Sequence, residues 1–369
     1  MMSKMMGKRQ LVSLVSPESF VTTDYLEPGV TLPLVIKPRV TGMNLSQWAA
    51  NSRTYIESQL VTHGAILFRN FGLSKPEDLD QFIRASTGEP IKYQERSSPR
   101  SEVSDRIYTS TDYPPSESIF PHNEHSYNRT FPLKIFFFCC VPSDTGGETP
   151  IADTRKILKR IDPRIIDAFW RKGYMYVRNF GDGFGVSWQT AFQQTEKAAV
   201  EAYCRRNDIE CQWKDHDRLK TSQVRRAIGV HPRSAEAVWF NHATFFHVST
   251  LRSGLRDSLM SQFEAAELPN NTFYGDGSPI EPWVLENLRE AYLNELVVFP
   301  WQQGDVLMLD NMLTSHARRP YTGNRRVLVG MAEPTNWDDL QTWTASIGSI
   351  QEQEQEQTAG AGKGTISCS

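Results

Sequence analysis

Two short stretches of this chain could hold a metal between them. In Phe120-Pro121-His122-Asn123-Glu124-His125-Ser126-Tyr127 an imidazole and a carboxylate stand two residues apart. On an extended strand the side chains at i and i+2 leave the same face. His122 and Glu124 would then look into one pocket, with His125 on the other face as a structural neighbour. An imidazole and a carboxylate presented together suit a divalent transition ion of intermediate hardness. Far downstream, the apolar run Val306-Leu307-Met308-Leu309 leads through Asp310-Asn311-Met312-Leu313-Thr314-Ser315 to His316. His316 could supply a third ligand. A single His-x-Glu triplet is most often a surface pair, and a lone histidine most often a satisfied structural one. The weight lies in the combination: two histidines and one carboxylate leave positions open on the metal, the facial arrangement of non-haem Fe(II) oxygenases.

Two further features bear on what fills those positions. Asn324-Arg325-Arg326-Val327-Leu328-Val329 places an arginine pair at the start of a strand shortly after His316. A strand arginine near a metal can grip the far carboxylate of a dicarboxylate with its planar fork. In Asp144-Thr145-Gly146-Gly147-Glu148-Thr149-Pro150 the hydroxyl of Thr149 could bond the same carboxylate.

His-x-Glu, then Gly-Gly-Glu-Thr, then a distal histidine followed by Arg-Arg, in this order and spacing, resembles the taurine dioxygenase (TauD/TfdA) family, from roughly Leu60 to Thr335. The resemblance implies a mainly β fold with α insertions around a double-stranded β-helix (jelly-roll, cupin-like) core. It implies that His122, Glu124 and His316 bind Fe(II), and that 2-oxoglutarate and O2 are co-substrates. It implies that Arg326, the second of the pair, anchors the far carboxylate of 2-oxoglutarate with help from Thr149. The implied reaction is hydroxylation of an unactivated C–H bond, with 2-oxoglutarate decarboxylated to succinate.

Two departures from the family pattern matter. The usual aspartate ligand is replaced by Glu124; because a carboxylate remains, the halide position of the related halogenases is not vacated. Four residues past Arg326, where the taurine enzyme carries an arginine for the substrate sulfonate, stands Gly330. The runs Ser98-Pro99-Arg100, Tyr108 to Pro114, His122 to Tyr127 and Trp239-Phe240-Asn241-His242 resemble the SyrP-like branch. Its substrates are amino acids, some tethered to a carrier protein. Arg100, Trp239 and Asn241 are the candidate substrate contacts; His242 and His247, among aromatics, read as core. Desaturation or oxidative rearrangement would use the same ligands, and a non-catalytic metal-binding jelly roll is the reading from a different class.

The elements that must position these residues follow from periodicity. Leu45 to Leu60 predicts helix, leading through Gly64 into a buried strand ending near Arg69. Lys75 to Thr87 predicts a second helix with Ser74 as its N-cap. Pro132 to Val141 predicts a core strand. Arg155 to Lys172 predicts helix broken at Pro163, and Thr195 to Arg206 another. Val224 to Val230, Ala237 to Phe240 and Phe245 to Val248 predict short strands. Leu255 to Leu268 and Pro282 to Leu296 predict helices. Asp305 to Leu309 and Arg325 to Met331 predict closing strands. Residues 1–30 read as an N-terminal extension, 31–349 as one domain, and the Gln/Glu-rich 350–369 as a disordered tail.

The bulk numbers exclude several classes. Of 369 residues, 39% are hydrophobic and 11% aromatic, enough for a sizeable core. A net charge of −3, with Lys and Arg spread along the chain, gives no basic face for nucleic acid. No apolar run reaches membrane-spanning length, so a cytoplasmic protein acting on a small molecule is expected. Five cysteines without Cys-x-x-Cys spacing argue against a disulfide scaffold or zinc ribbon; Cys139 and Cys140 read as buried thiols.

Overall fold

Ile135-Phe136-Phe137-Phe138-Cys139 is apolar without alternation because both faces of its strand are buried. Thr130–Val141 lies in the middle of an eight-stranded sheet. Its Phe136 and Phe138 point outward with Ile66, Phe68, Val306, Met308 and Leu328. There they pack on Leu45, Trp48, Ile56, Leu60, Leu79, Phe82 and Ile83 of the helices Leu45–Asn51, Arg53–His63 and Pro76–Ser86. Ile135 and Phe137 point inward with Leu67, Leu307, Leu309, Val327 and Val329. Each such side chain contributes roughly 1.5–3 kcal/mol on burial. The computed structural model describes residues 16–92, 101–104, 106–110, 113–181 and 185–343.

In spatial order the large sheet comprises Val21–Tyr25, Leu34–Pro38, Ala65–Phe68, Val306–Asp310, Thr130–Val141, Arg326–Asn336, Ile107–Thr109 and Glu102–Ser104. Its inner face is covered by a small sheet of Ile119–His122, Thr314–Arg318 and Ile151–Asp153, with Thr314–Arg318 in the centre. The chain passes from the large sheet to the small one through a single turn, Asn311 to Leu313, between Val306–Asp310 and Thr314–Arg318. That crossing gives the two-sheet jelly-roll core, and helical insertions surround it. Between Ile151–Asp153 and Val306–Asp310 the chain builds a third, four-stranded sheet: Glu210–Trp213, Leu219–Arg225, Tyr174–Phe180 and Asn270–Tyr274.

Most predicted elements are present, with corrections at particular places. Val21–Tyr25 pairs with Leu34–Pro38, so the sheet begins inside the segment expected to be an extension. The N-cap of Pro76–Ser86 is Lys75, not Ser74; the Asp78 carboxylate accepts from the N–H groups of both. Phe245 to Val248 is a turn running into a 3-10 helix, not a strand. Tyr174–Phe180 is a strand that periodicity did not single out, although Tyr-Met-Tyr-Val is rich in strand-forming types. Cys139, Cys140 and Cys204 are buried free thiols. No helix among the described residues is long and apolar enough to cross a membrane. Arg100, residues 1–15 and the tail lie outside the described residues.

Candidate metal centre and its cavity

His122 ends its strand directly opposite His316 of Thr314–Arg318, so the two imidazoles face each other across one strand pair. Their ring centroids are 4.4 Å apart. Glu124 lies two residues beyond the strand, in a turn, rather than at the i+2 position of an extended segment. It still arrives at the same place: one ligand atom from each of His122, Glu124 and His316 lies within 4.8 Å of the others. Glu124 is 3% exposed and His316 5%. His125, also in the turn with φ of 55°, sits beside Glu124, its Nε2 3.5 Å from the carboxylate, and not on an opposite strand face.

What holds Glu124 in the turn is Asn311. The Glu124 N–H donates to Asn311 Oδ1 at 2.8 Å, and Asn311 Nδ2 donates back to the Glu124 carbonyl at 2.8 Å and to that of Pro132 at 2.8 Å. Asn123 Nδ2 donates to the Asn311 carbonyl at 2.6 Å. One side-chain amide thus fixes the backbone of a candidate ligand 187 residues away in sequence. His122 Nδ1 lies 2.9 Å from the Phe120 carbonyl, which places the ring proton on Nδ1 and the lone pair on Nε2. In the sequence Asn311 stands in a polar turn and carries no metal-ligating group of its own. Its position directly after a buried strand and before the distal histidine is the available signal. Asn311→Ala is expected to weaken Fe(II) binding by about 10- to 100-fold, read by anaerobic metal titration; unchanged affinity would show that the turn is set without it.

The turn itself is anchored by a buried charge cluster. Lys134 Nζ lies 2.9 Å from Asp310 Oδ2, both side chains 0% exposed, and His231 Nε2 lies 3.1 Å from the same oxygen. Ser234 N–H donates to His231 Nδ1 at 3.0 Å, so His231 is neutral and gives its Nε2 proton to Asp310. The other carboxylate oxygen, Oδ1, accepts from the N–H groups of Met312 and Leu313. Burial would raise the Asp310 carboxyl, but Lys134 and His231 hold it well below the usual carboxylate range.

The arginine pair divides differently from the expectation. Arg326 is exposed, on the side of Cys140. Arg325 reaches inward: its Nε donates to the Gly147 carbonyl at 2.8 Å, one terminal nitrogen to Ser110 Oγ at 3.3 Å and the other to Thr149 Oγ1 at 3.4 Å. Burial, and then the neighbouring Arg318, lower the Arg325 pKa to about 10. The reason is strand parity. Val327 and Val329 face inward and Leu328 outward, so Arg325 shares the inner face and Arg326 does not. A bulge between Arg326 and Val327 sits at that point of the pairing with Thr130–Val141. Thr149 is buried and also accepts from Trp301 Nε1 at 3.1 Å. Gly147 has φ of 72°, and a Cβ there would lie 2.9 Å from Arg325 Cδ, so the second glycine of Gly-Gly-Glu-Thr makes room for the arginine. Gly330 likewise faces outward, where a Cβ would meet Ile83. Four past Arg325 is Val329, again without a cation.

His122 and Glu124 open onto a cavity of about 720 Å³. Its walls come from the third sheet (Arg178, Phe180, Asn270), the Phe245–Leu259 segment, and Leu293 and Leu296. Trp239 and Asn241 do not line it. Trp239 is fully buried against Phe169, and Asn241 is used locally, donating to the Ala227 carbonyl at 2.9 Å and accepting from Ala243 N–H at 2.9 Å. His242 does line it, stacked on Phe246 and bonded to Ser126 Oγ at 2.6 Å; burial and the adjacent His122 keep its pKa well below the ordinary value. Phe245, Phe246 and the Arg178 strand were not anticipated as cavity walls.

The chain matches the family described as taurine catabolism dioxygenase TauD, TfdA family, over residues 27–332. It is 40% identical over 279 residues to the dapdiamide synthesis protein DdaC of Enterobacter agglomerans, covering 76% of this chain and 85% of that protein. It is 27% identical over 316 residues to a clavaminate synthase-like protein of Arabidopsis thaliana, covering 83% and 92%. Among solved structures, PvcB of Pseudomonas aeruginosa superposes with a TM-score of 0.48 at 16% identity, over 84% of this chain and 89% of that one. Two imidazoles, one carboxylate and an inward arginine are the donor set that Fe(II) and a dicarboxylate require. The chain belongs to the TauD/TfdA family and is an Fe(II)- and 2-oxoglutarate-dependent dioxygenase.

Proposed function

We propose that this dioxygenase hydroxylates an unactivated C–H bond of an amino-acid-derived small molecule, converting 2-oxoglutarate to succinate and carbon dioxide. The observation that carries the reading is the convergence of His122, Glu124 and His316 at a large, partly apolar cavity. In this reading those three side chains hold Fe(II), which supplies oxygen activation when bound. Arg325, not Arg326, grips the far carboxylate of 2-oxoglutarate, and Thr149 gives its hydroxyl to the same group. The cavity orients the target carbon and keeps water away from it. The names of both curated relatives, dapdiamide synthesis and clavaminate synthase-like, support a small-molecule biosynthetic substrate. Desaturation would use the same groups, and the mass of the product separates the two outcomes.

The test is an anaerobic titration of Fe(II) and then 2-oxoglutarate, followed by visible absorption. Wild type is expected to give a weak metal-to-ligand charge-transfer band, and His316→Ala to lose it. A folded wild-type protein with no band would sink the ligand assignment and favour a non-catalytic binding protein.

A further inference from the structure

The hydrogen bonds around His247 fix where its ring proton sits. His247 is the N-cap of the short 3-10 helix Val248–Thr250, and its Nδ1 accepts from the Ser249 N–H at 3.1 Å. Ser249 Oγ lies 2.6 Å from the same Nδ1. The hydroxyl is the donor of that pair, because the Arg289 guanidinium, which can only donate, bonds the Oγ as well. With two donors on Nδ1, the neutral imidazole carries its proton on Nε2. Burial, and then Arg289, push His247 down to about 4, so the ring stays neutral at physiological pH.

Among the described residues nothing accepts from that Nε2–H: both hydrogen bonds of the ring are on Nδ1. His247, which reads as core from its aromatic neighbours in the sequence, is half-buried and lines the cavity beside the metal centre. Phe180, Phe246, Val248, Leu251 and Leu259 line it too. A donor left unpaired in such a wall is costly, and a placed polar group of this kind is what orients a ligand in an apolar cavity.

The backbone behind the ring is held as well. Val248 N–H donates to Asn271 Oδ1 at 3.1 Å, and Thr250 Oγ1 donates to the Thr244 carbonyl at 2.6 Å. Phe245, two residues before His247 and so at most ~7.6 Å away between Cα atoms, meets the candidate ligand His122 at 4.5 Å between ring centroids. The donor therefore lies on the same short segment as the ring that touches the candidate metal centre.

We propose that the Nε2–H of His247 binds a carbonyl oxygen of the substrate, and that the rest of the molecule extends past Phe245 toward His122, Glu124 and His316. The proposal deepens the dioxygenase reading and takes from it only the word substrate; the donor site itself is independent of turnover.

The test uses three naphthalenes of similar shape: 2-acetylnaphthalene, 2-naphthoate, and 2-isopropenylnaphthalene, in which a CH2 group replaces the ketone oxygen. Binding to the full chain loaded anaerobically with Fe(II) and 2-oxoglutarate is measured by equilibrium dialysis. His247→Phe keeps a ring but no donor. It should weaken a carbonyl probe by about 10-fold relative to the isopropenyl compound, the scale of a buried carbonyl left without its donor. His247→Asn keeps an oxygen that can cap Val248–Thr250 but withdraws the donor, and should lose the same selectivity. The carbonyl stretch of the affected probe should lie at lower frequency in wild type than in His247→Phe. Loss with the ketone assigns an uncharged carbonyl, and loss with 2-naphthoate alone assigns a carboxylate. No loss with either probe, or an equal loss of the isopropenyl compound, overturns the proposal. A missing charge-transfer band in wild type beside a His247-dependent carbonyl preference would instead overturn the metal-centre assignment and leave the donor site standing.

Discussion

Arg325→Gln is expected to raise the 2-oxoglutarate concentration needed for half-maximal succinate release by about 100-fold, while Arg326→Gln leaves it within about two-fold. The inward guanidinium already bonds Thr149 and Ser110, so a carboxylate arriving there meets donors in a low-dielectric site. Two charge-assisted bonds, each worth ~1.5–3 kcal/mol, give at least that factor. Arg326 is exposed and can lend only a screened charge. Succinate formation against 2-oxoglutarate concentration measures both variants. An effect confined to Arg326→Gln would return the anchor to the second arginine and show that the strand pairs differently in solution.

Lys134→Met should cost about 3–5 kcal/mol of unfolding free energy at neutral pH, because it leaves the Asp310 carboxylate buried with only neutral His231 and two backbone N–H groups. The damage should extend to the metal centre. Asp310 sets the turn that carries Asn311, and Asn311 holds Glu124. The pH dependence follows from the depressed Asp310 pKa. Its stabilising contribution is present above the unfolded carboxylate value of about 3.9 and is lost as pH falls through the folded value. The wild-type contribution should therefore hold from pH 7 to 5 and be lost only in strong acid, while the gap to the variant narrows earlier, as the variant's buried, unpaired carboxyl takes up a proton. Urea denaturation across that range is the measurement. A loss below ~1 kcal/mol would show that the cavity readmits water to Asp310.

Several site features were legible because they depend on residue type and order. Two imidazoles, a carboxylate and an arginine pair, in the order and spacing of the TauD/TfdA family, point to a metal and a dicarboxylate before any fold is known. The unbroken apolar run at Ile135 to Cys139 can only be a strand buried on both faces, and helix breaks at Gly64 and Pro163 are local events. The choice between Arg325 and Arg326 was not local. It depends on which way Val327 faces, beside a bulge in the pairing with Thr130–Val141, and one residue of register reverses every side chain. Glu124 was placed correctly for the wrong reason: a cross-link to Asn311, not strand alternation, brings it to His122.

Trp239 and Asn241 show the opposite failure. Polar and aromatic types near a strand suggested substrate contact, but the Asn241 amide is consumed by the backbone of Ala227 and Ala243. By itself, then, the amino-acid sequence determined the chemistry this protein can perform, since ligand identity is a property of side chains. Only the tertiary structure decided which arginine faces inward, what holds the Glu124 turn and which side chains line the cavity. Those depend on pairings between segments more than a hundred residues apart, and no local preference encodes them.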